Sequence, residues 1–158
     1  MLGQLPGAAI FHFAGHGLSD RGPGGLLASL VLAPPTPGAS SGVAGADGYL
    51  HLFELYGLDL TCELAWLSAC DTSVGPILAG EGAFALSRGF LVAGARDVVA
   101  SLWPLRDESA AALASAFFAG SGDPAVRLRA AKLTLRERWP EPHHWAPFVL
   151  LGQGPGRE

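Results

Sequence analysis

Four short apolar runs, Ala8 to Phe13, Leu64 to Ser68, Asp97 to Leu102 and Phe148 to Leu151, are too brief for helices. They do not alternate with polar residues, the pattern expected of strands buried on both faces. Helix-period segments separate the later runs. Glu81 to Ala93 sets Phe84, Leu86, Phe90 and Leu91 at helical spacing and stops at Gly94, a residue suited to the left-handed position after a helix. Asp107 is placed to cap a helix reaching Ala119, and Asp123 followed by Pro124 predicts an N-cap and first-turn proline for another ending near Trp139. Ser29 to Ala33 and Gly48 to Leu50 read as small extended pieces. The alternation of strand and helix predicts an α/β fold, a three-layer sandwich on a mainly parallel sheet.

Composition narrows the picture. The 158 residues fit one domain. With 49% hydrophobic and only 15% charged residues, the chain is expected to fold rather than remain disordered. Its 22 glycines and 12 prolines fall mostly between the apolar runs, as turn punctuation. The Pro-, Gly-, Ser- and Ala-rich segment 34–47 predicts an exposed loop, open to nicking, because coherent patterning resumes on both sides. No apolar run reaches the roughly 18 residues of a membrane span, and no cation precedes the first apolar segment as in a secretory leader. No membrane contact and a cytoplasmic location are the expectations.

A net charge of -4 and a pI near 5.7 argue against a nucleic-acid partner, which calls for concentrated Lys and Arg. Only Arg127 to Arg138 is basic, and it reads as a solvated helix face. Cys62 and Cys70 are too few for a disulfide framework and are expected to be free thiols.

In a parallel sheet, chemistry gathers beyond the carboxyl ends of the strands. Ala14-Gly15-His16-Gly17 follows the first run, Ala69-Cys70-Asp71-Thr72 the second, and Trp103-Pro104-Leu105-Arg106-Asp107 the third. Cys70 and His16 are the minimum for thiol nucleophilic catalysis, in which imidazole takes the thiol proton and the thiolate attacks a carbonyl. The N–H groups of Gly17 and Cys70 are candidates for an oxyanion hole. Alternatively, His16 is satisfied by loop carbonyls and Cys70 is an inert small hydrophobe at a strand end. A metal site from His12, His16 and Cys70 is disfavoured because the histidines do not share a helical face and no paired-cysteine motif is present. No cofactor is expected. His143 and His144 are expected to shape a turn, and Cys62 to be a structural thiol.

Cys70 follows His16 by 54 residues; in caspases the histidine lies about 50 residues before the nucleophile. The stretches Phe13-Ala14-Gly15-His16-Gly17, Leu67-Ser68-Ala69-Cys70-Asp71-Thr72, Gly80-Glu81-Gly82, Ala93-Gly94-Ala95, Val99-Ala100-Ser101-Leu102-Trp103-Pro104 and Trp145-Ala146-Pro147-Phe148-Val149 resemble the successive motifs of the CHAT domain. That family belongs with the caspase-like cysteine peptidases, and the similarity runs in order through nearly all of residues 8 to 152.

The resemblance implies a caspase-like fold, with His16 as general base and Cys70 as nucleophile in peptide hydrolysis through an acyl-enzyme. It also implies that Ser101 to Trp103 forms the wall where the substrate backbone pairs by strand addition. Trp103 would line that cleft, or else simply cover the end of the sheet. Ser68 stands where many relatives specific for Lys or Arg carry an aspartate, so a basic preference is not implied.

Relatives carry further strands before the histidine-bearing strand. Residues 1–158 are therefore expected to form one CHAT domain lacking its first strands. Strand 8–13 would then be an apolar edge, covered by an upstream segment, a partner or a second copy of the chain. Two functions are expected: a bacterial-type cysteine endopeptidase acting on protein or peptide, regulated by a tetratricopeptide-repeat or other sensor, or an inactive fragment serving as an interaction scaffold.

Overall fold

In the computed structural model, residues 9–18, 26–33, 47–70 and 81–152 are described, excluding the side chains of residues 69, 70 and 81–83. Among the described residues six strands form one sheet: β1 (Ile10–Leu18), β2 (Ser29–Val31), β3 (Tyr49–His51), β4 (Leu64–Cys70), β5 (Asp97–Ser101) and β6 (Phe148–Gly152). Four helices accompany them: α1 (Leu52–Leu55), α2 (Glu81–Val92), α3 (Asp107–Ala119) and α4 (Pro124–Arg138).

The strand order is β3-β2-β1-β4-β5-β6. Its centre, β1, β4 and β5, is parallel, whereas β2, β3 and β6 add antiparallel margins. Three of the four predicted apolar runs are thus the parallel strands, whereas the fourth, β6, runs antiparallel although α3 and α4 separate it from β5, and the sheet as a whole is mixed. Segment 34–46 of the expected loop lies outside the described residues; Asp47, its last residue, is exposed.

Alternation along β4 builds two cores. Ala65 and Leu67 join Phe11, Phe13, Val98 and Ala100 beneath Leu86 and Phe90 of α2 and Leu52 and Leu55 of α1. Leu64 and Trp66 face the other way, with Val99 and Phe148, onto Leu113 and Phe117 of α3 and Leu128, Ala131 and Leu135 of α4. All five residues of β5 are buried, as a strand covered on both faces requires.

The first strand departs from expectation in two ways. It does not stop at Phe13: its backbone pairs with β4 as far as His16 opposite Cys70, and Gly17 and Leu18 pair with β2. The Gly-rich text that reads as a loop is strand because Gly15 makes room for the Phe13 ring, which a Cβ there would approach to 2.9 Å. Nor is it buried on both faces. Phe11 and Phe13 are buried, Phe11 stacking on Phe90 at 4.9 Å. Ile10, His12, Ala14 and His16 are exposed, because α3 and α4 lie mainly over β4, β5 and β6, with Phe118 of α3 reaching β1 at His12.

Helix ends follow local chemistry. Gly94 takes a φ of 110° after α2, where a Cβ would collide with the Leu60 carbonyl. Asp123 caps α4, its Oδ1 accepting from the N–H of Ala125 at 2.8 Å and of Val126 at 3.3 Å. Asp107, expected as a cap, is instead the first helical residue of α3, with Arg106 at the cap position. There its carboxylate sits in the favourable first turn.

Candidate active site

The carboxyl ends of β1, β4 and β5 form the rim to which the sequence assigns its chemistry. His16 and Cys70 are register partners on neighbouring parallel strands, a spacing of about 4.8 Å between strands. The His16 ring is exposed and makes no hydrogen bond to a described residue. The Cys70 side chain, together with Asp71 and Thr72, lies outside the described residues. Gly17 is buried and pairs in register with Leu30 of β2, so it lies in a strand rather than in a loop.

Ser68 is half-buried and pairs with Ala14. Ser101 ends β5, is 3% exposed and pairs with Phe148. The last β4–β5 pair is Leu67 with Ala100, so Ser101 comes next along the same rim as Ser68. Trp103 follows two residues beyond β5. Its indole Nε1 donates to the His143 carbonyl at 3.3 Å and its ring stacks on His143 with centroids 6.4 Å apart. This ties the rim to the 3-10 turn Pro142–His144, a link spanning 40 residues that no local pattern displays. Both His143 and His144 serve that turn, His144 stacking on Trp139 at 5.8 Å.

The other candidates have structural occupations. His12 stacks on Phe118 at 5.3 Å and meets the edge of Trp66 at 6.2 Å; burial there pulls its pKa below the ordinary histidine value. Cys62 is buried and its Sγ donates to the Leu64 carbonyl at 3.1 Å. Burial pushes that thiol above its ordinary pKa and keeps it protonated. Among the described residues, no group of three or more His, Cys, Asp or Glu could hold a metal ion, and no helix is long and apolar enough to cross a membrane.

A parallel-centred α/β sandwich with paired His and Cys positions at its carboxyl rim is the arrangement of a caspase-like domain. The chain belongs to the CHAT domain family, whose model matches residues 1–153. It is similar to tetratricopeptide repeat protein 28 of Mus musculus, with 27% identity over 187 aligned residues covering 96% of this chain and 7% of that protein. It is also similar to tetratricopeptide repeat protein 28 of Homo sapiens, with 31% identity over 104 residues covering 63% of this chain and 4% of that protein. The chain therefore spans only a small part of the length of either relative.

Proposed function

We propose that this CHAT domain is a cysteine-type endopeptidase acting through a His16/Cys70 dyad. The observation that carries the reading is the register of β1 and β4, which pairs positions 16 and 70 at the carboxyl ends of parallel strands. His16 takes the Cys70 thiol proton, and the thiolate adds to the scissile carbonyl carbon. The N–H groups of Gly17 and Cys70 hold the resulting oxyanion. Collapse of the tetrahedral adduct breaks the C–N bond, and the His16 imidazolium protonates the leaving amine. Water, deprotonated by His16, then hydrolyses the thioester and regenerates the thiol. Ser68 shapes the side-chain pocket, and Ser101 to Trp103 offers the substrate backbone a strand to pair with. Tetratricopeptide repeats, carried by name in both relatives, are the proposed regulatory module, attached or in a partner.

Cys62 supplies an internal reference for the test. Native alkylation near pH 6.5 should label Cys70 at least about tenfold faster than the buried Cys62, and His16→Ala should lower the Cys70 rate at least about tenfold while leaving that of Cys62 unchanged. A peptide-library cleavage screen then reads the activity itself. A Cys70 alkylation rate unaffected by His16→Ala would overturn the peptidase reading in favour of a scaffold domain.

A further inference from the structure

The basic stretch of α4 is not one uniform solvated face. Arg127 folds back onto α3, its Nε donating to the Phe117 carbonyl at 3.1 Å and its guanidinium lying 4.1 Å from the Phe117 ring centroid. Arg138 pairs with Glu108 and lies over Trp139. Arg129, Lys132 and Arg136 face a different way, into an open groove of about 360 Å³ whose apolar wall includes Leu133, Trp145 and Leu150. None of these three cations has an acidic partner among the described residues. Lys132 is half-buried, donating to the Ala146 carbonyl at 3.3 Å and leaving two ammonium protons for other acceptors. Burial pulls its pKa below the ordinary lysine value, a cost that a bound carboxylate would offset.

We propose that the groove between α4 and β6 is a docking site for an acidic amphipathic peptide segment. Charge complementarity selects the occupant: among the described residues that line the groove three are cations and none is an acid, in a chain of net charge -4. From Arg129 to Arg136 the helix rises about 10 Å, so carboxylates on one extended or helical segment can engage both ends, with Lys132 between them. Apolar side chains of the same segment fill the space against Leu133, Trp145 and Leu150. The location favours it further, because among the described residues β6 is the last strand of the sheet, an edge of the kind that accepts an added strand. A nucleic acid would meet the repulsion of the negative chain beyond this one stripe.

A random peptide library displayed on phage, selected against the intact 158-residue chain, provides the probe. Enriched sequences should combine Asp or Glu with large apolar residues. Their affinity should fall at least about tenfold in the double variant Arg129→Glu/Arg136→Glu, and similarly between about 0.05 and 0.5 M salt. Both arginines are exposed, so the double variant should keep its thermal transition; Arg88→Glu on α2 is the control for non-specific charge loss. Enrichment without acidic residues, or binding unaffected by the double variant, overturns the proposal. So does selection that enriches nothing while vesicles of phosphatidylserine and phosphatidylcholine bind through the same arginines, which would assign the groove to an anionic lipid surface.

Discussion

Replacing Trp66 with phenylalanine sets two effects of opposite sign against each other. The indole is fully buried, packed on Phe117, Phe118 and Phe148 at centroid distances of 4.7, 5.4 and 5.0 Å. Its Nε1–H has no hydrogen-bond partner among the described residues. Phenylalanine removes about two ring carbons' worth of burial, roughly 1.6 kcal/mol, but also removes a buried orphan donor that costs about 1–3 kcal/mol. The net change should lie within about 1.5 kcal/mol of zero, whereas Trp66→Ala, which empties the site, should cost about 3–5 kcal/mol. Urea denaturation followed by far-ultraviolet circular dichroism reads both, provided the transitions are two-state. For a chain of this length the Phe variant should shift Tm by less than about 5 °C and the Ala variant by about 10 °C. A loss above about 3 kcal/mol for Trp66→Phe would refute the reasoning, because the indole N–H would then be contributing rather than costing.

Other expectations follow from single contacts. Gly94→Ala combines a positive φ with a collision against the Leu60 carbonyl, whereas Gly122, at φ 86°, has no described residue within 4 Å of an added Cβ. Gly94→Ala should therefore lower Tm clearly more than Gly122→Ala, whose cost is the backbone strain alone, about 1 kcal/mol; equal shifts would contradict the collision. Asp97 is buried at the start of β5, and burial pushes its pKa up while Arg96 partly opposes the rise. In the pH range above the ordinary carboxylate value, the folded state then holds more protons than the unfolded one, so this group's contribution to stability falls as pH rises. Asp97→Asn, neutral throughout, should gain Tm relative to the parent between about pH 4 and 7. A difference that stays constant across that range would show that the carboxylate is not penalised.

The parallel centre of the sheet was legible because β4 and β5 are buried on both faces and carry uninterrupted apolar text. The β1 strand misled the reading in both respects. Glycine at positions 15 and 17 argues for a loop on local grounds, but the ladders with β4 and β2 override it, and only tertiary pairing reveals that most of the far face of β1 stands outside the helical cover. Asp123 and Pro124 marked their helix start correctly, since a cap is a local event; Asp107, by contrast, slid one position inside its helix. His16 and Cys70 could be named from their places after apolar runs, but their pairing is a matter of register, which no spacing encodes. The groove on α4 was hidden for a similar reason: helical charge periodicity cannot tell Arg127 and Arg138, which fold onto rings, from Arg129 and Arg136, which do not.

The alternating anchorage of β4 also governs alignment. A slip by one residue would drive Trp66 toward the α1/α2 side and bring Ala65 into a space shaped by Phe117 and Phe148. The two compartments differ so much in the bulk they accept that neither can exchange its contents. The strand is keyed, like an asymmetric plug, by side chains in the middle of its length. Whatever happens between positions 16 and 70 is therefore indexed from inside the protein, and mutations that even out the two compartments should blur the rim without touching it.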